Sequence, residues 1–159
     1  MTARIVLDAM GGDNAPAEIV AGALMAAGGL GVELTLVGRK AAIEAELQGT
    51  NPKNLRIVDA PDVIDMDEHP TEAFKAKPQS SISIGLRMVK DGKADAFVTA
   101  GNTGASMAGA LLTLGRIKGI GRPALATIFP TGEGRLTKCI EEPPNRKILG
   151  VGRIERFGD

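Results

Sequence analysis

Short runs of apolar residues recur along the first part of the chain and are separated by turn residues. Their lengths are typical of buried β-strands, and the runs cover 4–9, 33–37, 55–59, 96–99 and 124–129. Other segments have apolar residues at helical spacing or are rich in Ala and Leu, and these cover 16–27, 41–47, 80–89 and 102–115. The pattern therefore predicts strands and helices in alternation.

This alternation is typical of an α/β fold, in which helices cover both faces of a mainly parallel sheet. In such sheets the ligand-binding residues lie beyond the carboxyl ends of the strands. Two loops rich in Gly and small polar residues follow the first and the fourth predicted strands. We therefore expect the functional residues in these two loops.

The pattern changes after Pro130. The remaining sequence, TGEGRLTKCIEEPPNRKILGVGRIERFGD, is charged and rich in turn residues, and only 148–151 has the composition of a short strand. We predict one domain over residues 1–130 and a divergent, poorly packed tail over residues 131–159.

Composition and charge narrow the choice of function and location. Nineteen basic and nineteen acidic side chains leave no net charge, which gives no electrostatic reason to expect nucleic acid as a partner. Neither the single cysteine, Cys139, nor the single histidine, His69, lies in a pattern typical of disulfides or metal ligands. No stretch approaches the ~20 apolar residues of a membrane span, and no signal peptide is recognisable. We expect a cytoplasmic protein without a metal site.

The loop DAMGGDNAP connects the first predicted strand to the first predicted helix. Its glycines permit positive φ and close backbone approach, so N–H groups there could hold an anion. Its polar side chains can donate, accept or bind a cation. The candidate substrate-binding residues are Asp8, Gly11, Gly12, Asp13 and Asn14. The alternative is that the glycines only form the turn and that Asp13 or Asn14 caps the helix.

The loop TAGNTGA has the same position after the fourth predicted strand. Backbone amides at a helix start, the amide of Asn102 and the hydroxyl of Thr103 could together bind phosphate or a developing oxyanion. Gly101 and Gly104, which flank these two residues, are further candidates. The alternative is an ordinary N-cap by Asn102 or Thr103.

A third segment, EAFKAKPQSS, has two lysines shortly before a pair of serines. Lysine can neutralise phosphate as a mobile point charge. Lys75, Lys77, Ser80 and Ser81 are therefore secondary candidates for substrate binding. Alternatively, the lysines lie on a solvated turn and a serine caps the next helix.

Four stretches together resemble the phosphate acyltransferase family of bacterial phospholipid synthesis. They are IVLDAMGGDNAP, PTEAFKAKPQSS, KADAFVTAGNTGASMAGAL and GIGRPALAT, in the order expected for that family. The resemblance covers residues 1–130. It implies a three-layer α/β/α sandwich with a mainly parallel sheet, related to isocitrate and isopropylmalate dehydrogenases and to phosphotransacetylase.

The resemblance also implies a reaction and a set of partners. In the family, inorganic phosphate attacks the thioester of acyl carrier protein and gives acyl phosphate and the free carrier, without a cofactor. The resemblance further implies a homodimer that associates loosely with the membrane. By position, substrate contacts would fall on the two glycine loops, with Asn102 and Thr103 as donors to phosphate or to the oxyanion.

The chain also departs from the family, whose members are considerably longer. The tail after Pro130 resembles nothing in the family, so we expect a truncated chain that lacks the residues acting directly on the thioester. One alternative is a phosphate acetyl- or butyryltransferase that uses coenzyme A thioesters, and another is a truncated product without catalytic activity. A nicotinamide-dependent dehydrogenase is disfavoured, because no G-x-G-x-x-G motif follows the first strand.

Overall fold

The chain divides into two compact units, Met1–Gly115 and Arg116–Asp159. The structure, a computed structural model, describes residues 2–116 and residue 118, together with the backbone of two strands at 125–130 and 136–141. Each unit is described by itself below.

Strands and helices alternate in the first unit. The strands are β1 (Arg4–Asp8), β2 (Glu33–Gly38), β3 (Leu55–Asp59) and β4 (Ala96–Val98). The helices are α1 (Ala17–Gly29), α2 (Lys40–Leu47), α3 (Pro70–Ala76), α4 (Ser81–Lys90) and α5 (Thr103–Thr113). The sequence pattern correctly predicts all of these except α3, whose seven residues are too few to show a helical period.

The four strands form one parallel sheet in the order β3-β2-β1-β4. The chain winds from β1 outwards through β2 to β3 and then returns to the other side of β1 to form β4. The winding direction therefore changes between β1 and β4, which is where α/β sheets of this type bind ligands.

Helices cover both faces of this sheet. Because successive side chains of a strand point to opposite faces, Leu36 packs with α1 and α2, whereas its neighbour Val37 packs with α4. The first face buries Ile43 of α2 completely, and the second buries Val6 of β1. The expected α/β fold with a parallel sheet between two helical layers is confirmed.

Arg4 and Asp95 link β1 to β4 at the amino-terminal ends of the two strands. The backbone N–H of Arg4 donates to Oδ2 of Asp95 at 2.8 Å, and Nη2 of Arg4 donates to Oδ1 at 2.6 Å. The backbone N–H of Asp95 in turn donates to the carbonyl of Arg4 at 2.8 Å. The ladder between the strands is short, with three residue pairs from Ile5↔Ala96 to Leu7↔Val98.

The second unit contains β5 (Leu125–Pro130) and β6 (Leu136–Glu141), which pair antiparallel in a separate two-stranded sheet. The prediction that β5 is a fifth strand of the parallel sheet is wrong. The five positions between the strands, 131–135, are too few for the crossover that parallel pairing needs, so the two strands pair antiparallel. The strand β6 lies in the predicted tail and was not predicted, and the short strand predicted at 148–151 lies outside the described residues.

Candidate functional site

The two glycine loops meet at the carboxyl ends of β1 and β4, the strand pair at which the winding direction changes. Gly11 of the first loop is buried against Gly101 of the second. A Cβ atom on Gly11 would lie 2.7 Å from the backbone nitrogen of Gly101, so a larger residue cannot make this approach without displacing the second loop. The two loops singled out from the sequence are therefore in direct contact.

Asp8, at the end of β1, joins the two loops through a side chain that is only 1% exposed. Its Oδ1 accepts a hydrogen bond of 3.0 Å from the backbone N–H of Met10. Its Oδ2 accepts one of 2.7 Å from Oγ1 of Thr99, and that oxygen accepts one of 3.0 Å from the N–H of Gly101. Sequence reasoning missed Thr99, although its place directly after a parallel strand was a usable signal.

The rest of the first loop leads into α1 without a side-chain cap. Gly12 has a φ of +105°, which favours glycine. The N-cap position is occupied by Pro16, and no side chain caps the helix, so the alternative in which Asp13 or Asn14 serves as the cap is wrong. Both of these side chains are exposed. They are accessible to a ligand, and contact with one stays a prediction.

Asn102 has both ends of its side-chain amide engaged within the protein. It is the N-cap of α5, because its Oδ1 accepts a 2.9 Å hydrogen bond from the N–H of Ala105. Its Nδ2 lies 3.0, 3.4 and 3.3 Å from the backbone carbonyl oxygens of Asp65, Met66 and Glu68. The cap alternative is confirmed. A direct contact between Asn102 and substrate stays a prediction, and it would require these carbonyl contacts to break.

Thr103 and Gly104 form the first turn of α5. Thr103 is exposed, so its hydroxyl is accessible to a ligand, and its role as a donor stays a prediction. Gly104 packs on Pro70 at the start of α3, where an added Cβ would lie 2.6 Å from the proline ring. The close contact between α5 and α3 therefore requires a glycine at this position.

Lys77 contacts the same segment as Asn102. Its Nζ donates to the carbonyl of Val63 at 2.7 Å and to Oε1 of Glu68. The hydrogen bond from Lys77 holds the pKa of Glu68 below its ordinary value. Lys75, by contrast, is exposed at the end of α3 and has no ion-pair partner in the described part of the chain. Contact of either lysine with substrate stays a prediction.

The serine pair begins α4, as the alternative interpretation has it. Ser80 is the N-cap: its Oγ accepts from the N–H of Ser83 at 3.2 Å and donates to Oγ of Ser83 at 2.9 Å. Ser80 and Ser81 are both buried. A substrate contact at either residue stays a prediction and would require this turn to open.

A cleft of about 440 Å³ opens beside the first loop. Its walls come from that loop, from the start of α2, from the segment that follows β3 and from Lys77. The lining residues are Met10, Gly12, Ala15, Arg39, Pro61, Asp62, Val63, Asp65 and Lys77. Among the residues predicted from the sequence, only Gly12 and Lys77 line it. Two cations and two carboxylates therefore face the same space.

Arg39 is a cleft residue that sequence reasoning missed. It lies directly after β2, is exposed, and its Nε donates to the carbonyl of Pro61 at 3.2 Å. Within the described residues, the two terminal guanidinium nitrogens have no hydrogen-bond partner. Such a group can bind a phosphate through two parallel N–H groups. Its place at the carboxyl end of a parallel strand was the signal that could have identified it.

The sequence profile described as "fatty acid synthesis protein" matches residues 3–140. This chain belongs to that family. The match continues past Pro130, so the expectation that the tail resembles nothing in the fatty acid synthesis family is wrong for residues 131–140. The resemblance to phosphate acyltransferases, stated from four sequence stretches, is confirmed by curated relatives that carry this name.

This chain aligns with only part of the length of its curated relatives. The phosphate acyltransferase of Herpetosiphon aurantiacus is 56% identical over 133 residues, which are 82% of this chain and 36% of that protein. That of Desulfitobacterium hafniense strain DCB-2 is 54% identical over 132 residues, covering 82% and 40%. That of Nostoc punctiforme is 54% identical over 129 residues, covering 80% and 38%. The chain thus spans between 36% and 40% of the length of these relatives.

One solved structure shows the same fold. A phosphotransacetylase from Streptococcus pyogenes superposes with a TM-score of 0.61 over 86% of this chain and 46% of that chain, at 20% sequence identity. In the described part of the chain, no helix has the length and apolarity needed to cross a bilayer. The same residues contain no group of three or more His, Cys, Asp or Glu side chains arranged to hold a metal ion.

Proposed function

We propose that this chain provides the phosphate-binding side of an acyltransferase site, at which an acyl group passes from acyl carrier protein to inorganic phosphate. The proposal rests on one observation, the contact between Gly11 and Gly101 that joins two glycine loops where the winding direction changes. Membership of the fatty acid synthesis family and the name of the curated relatives support the same reaction class.

The electrostatics around the two loops suit an anion. The helices α1 and α5 begin directly after the loops, so their positive amino-terminal ends lie next to them. Arg39 adds a positive charge in the neighbouring cleft, whereas the charge of Lys77 is paired with Glu68 and the carboxylates of Asp62 and Asp65 oppose an anion there. We therefore expect phosphate to bind near the backbone of the glycine loops and the guanidinium of Arg39, away from the carboxylates.

In the proposed reaction, an oxygen of phosphate attacks the carbonyl carbon of the thioester. The new C–O bond forms, the C–S bond breaks, and the carrier leaves as a thiolate that takes up a proton. The reaction balances with these two substrates and no cofactor. N–H and O–H groups that face the carbonyl oxygen stabilise its developing negative charge, and a fixed distance between the substrates lowers the barrier further.

The donors to the carbonyl oxygen of the thioester should be groups that have no hydrogen-bond partner within the protein. The amide of Asn102 is engaged with Ala105 and with three carbonyls, and the N–H of Gly101 is bound to Thr99. We therefore place the donor role first on the exposed hydroxyl of Thr103 and on the backbone N–H groups around it.

The experiment places residues 1–140 of this chain in the corresponding part of the Herpetosiphon aurantiacus relative. Acyl phosphate is trapped with hydroxylamine and the released thiol is counted, with long-chain acyl thioesters of acyl carrier protein and of coenzyme A as donors. We expect phosphate-dependent turnover with acyl carrier protein. Thiol release that is equal without phosphate contradicts the proposal, and a preference for coenzyme A favours the phosphate acetyl- or butyryltransferase alternative. Turnover that also appears with the 159-residue chain alone contradicts the interpretation as an inactive truncated product.

The proposal includes the partners and location that the resemblance implies, namely a cytoplasmic homodimer with loose membrane association. Sedimentation of the chimera measures its oligomeric state, and flotation with phospholipid vesicles measures its membrane binding. A monomeric active enzyme contradicts the dimer, and the absence of vesicle binding contradicts the membrane association.

A further inference from the structure

Asp8 is a candidate substrate contact by sequence, but its surroundings indicate a different role. We propose that Asp8 is a positioning residue, which holds the two glycine loops at a fixed spacing through Thr99 and does not contact phosphate itself. The effect on phosphate binding rests on the proposed function, whereas the link between the loops is independent of it.

The position of the carboxylate separates it from any ligand. Both of its oxygens already accept a hydrogen bond, one from Met10 and one from Thr99, and the residue is 1% exposed. The backbone of Gly11 covers it, since a Cβ atom at that position would lie 2.8 Å from Oδ2 of Asp8. A carboxylate in direct contact with phosphate would also repel it, and burial behind the loop avoids that contact.

The hydrogen bonds run in one direction from the second loop to the first. The hydroxyl of Thr99 donates to Oδ2 of Asp8, and its oxygen stays free to accept. The oxygen of that hydroxyl then accepts from the N–H of Gly101. Consecutive hydrogen bonds of this kind polarise and strengthen one another. The chain of bonds fixes the peptide between Ala100 and Gly101, and so fixes the backbone of the second loop, near which phosphate is proposed to bind.

One substitution breaks this chain of hydrogen bonds, one weakens it and one preserves it. Thr99→Val has nearly the same shape but leaves Oδ2 of Asp8 and the N–H of Gly101 without their partner. Asp8→Asn replaces one of the two acceptor oxygens by an NH₂ group, so that either the hydroxyl of Thr99 or the N–H of Met10 loses its acceptor. Thr99→Ser retains the hydroxyl. Thr50→Val, at an exposed threonine after α2, is a matched control for the loss of a hydroxyl elsewhere.

The experiment follows two quantities by NMR on the 159-residue chain, after circular dichroism has shown that each variant is folded. The first is the hydrogen-exchange rate of the Gly101 amide, and the second is the dissociation constant for inorganic phosphate. In Thr99→Val, we expect exchange to be at least about tenfold faster and phosphate binding to be about tenfold weaker. In Asp8→Asn, we expect a smaller increase in the exchange rate. In Thr99→Ser and Thr50→Val, we expect both to match the parent.

The outcomes separate this inference from the proposed function. Unchanged exchange of the Gly101 amide in both Thr99→Val and Asp8→Asn overturns the link between the loops. Faster exchange with unchanged phosphate affinity overturns the positioning role and leaves the proposed function standing. A changed phosphate affinity in Asp8→Asn with parental exchange of the Gly101 amide means that Asp8 acts on phosphate directly and not through Thr99, which also overturns the positioning role. If the parent binds no phosphate, the proposed function fails, and the exchange rates alone decide whether the link exists.

Discussion

At Gly11 the absence of a side chain allows two loops to touch. We expect Gly11→Ala to lower the free energy of unfolding by about 1–3 kcal/mol, because the new Cβ would lie within 2.9 Å of atoms in Gly101, Asp8 and Thr99. The nearest of these atoms is a backbone nitrogen, and the two side-chain oxygens are held in place by hydrogen bonds. Urea unfolding measures the change. Gly22→Ala is the control, since nothing lies within 4 Å of that Cβ on α1 and alanine favours helices by ~1 kcal/mol. A similar loss of stability in both variants contradicts the steric explanation for Gly11.

The engaged amide of Asn102 leads to a second prediction at this scale. Asn102→Ala removes both the cap of α5 and the contacts with three carbonyls, so we expect a loss of about 2 kcal/mol in the free energy of unfolding. Asn102→Ser keeps a capping oxygen but is too short to reach the carbonyls, and about half of that loss is expected to return. An alanine variant as stable as the parent would show that the amide is not engaged in solution.

At the scale of elements, the segment after β3 is attached to the rest of the unit from α5 and from the end of α3. Lys77 provides one attachment, and its hydrogen bond lowers the pKa of Glu68 from the ordinary value of 4.5. We expect Lys77→Met to raise the pKa of Glu68 towards 4.5, as followed by carboxyl ¹³C shifts during an acid titration. Lys75→Met removes the same charge from the neighbouring exposed lysine, and the pKa of Glu68 is expected to stay lowered. An equal rise of the Glu68 pKa in both variants would show that any nearby positive charge lowers it, and not the hydrogen bond from Lys77.

The strands β1 and β4 respond to acid through Asp95. Its side-chain hydrogen bond with Arg4, helped by the backbone N–H of Arg4, lowers the pKa of Asp95 to about 2 from an ordinary 3.8. A lowered carboxyl pKa stabilises the fold above the unfolded-state value, and this stabilisation disappears as the pH falls through the folded-state value. We therefore expect the contribution of the pair to be complete above about pH 4 and to be lost towards about pH 2.

Urea midpoints of the parent and of Asp95→Asn between pH 2 and pH 6 test this expectation. The difference between them is expected to be largest above about pH 4 and to shrink on acidification. Asp67→Asn, at an exposed carboxylate outside this pair, controls for the loss of a charge. If the difference between Asp95→Asn and the parent does not change with pH, the pair of Arg4 and Asp95 is not the source of the acid sensitivity.

For the whole molecule, apolar periodicity was sufficient to predict the first unit. The strands β1 to β4 and four of the five helices follow from it, because each has a buried side that must be apolar over several residues. The order of the strands does not follow from periodicity alone. The pairing of β5 was predicted wrongly, because a strand pattern shows that a segment is extended but not which partner it pairs with.

The candidate site was predicted less completely than the fold of the first unit. The two glycine loops were identified, since glycine and small polar residues directly after parallel strands are typical of ligand-binding loops. The partners of Asn102 and Lys77 were not identified, because they are carbonyls and a carboxylate that come from a segment without periodicity. The engagement of a polar side chain depends on which distant backbone groups the fold brings to it. Arg39 was overlooked because it is a single residue outside a recognised motif. Thr99 begins the loop TAGNTGA but was overlooked because its position gives no sign of the distant carboxylate that it contacts.

The first and the last residue of β1 are each linked to a residue that flanks β4. Arg4 and Asp95 join the strands at the amino-terminal side, and Asp8 and Thr99 join them at the carboxyl side. Only three residue pairs form the ladder between these links, so the ladder itself would discriminate poorly between alignments. A shift of one residue would separate both links at once and would also turn apolar side chains to the wrong face. The two carboxylates therefore favour the observed alignment of the strands, since a misaligned pair would lose both hydrogen-bonded links together.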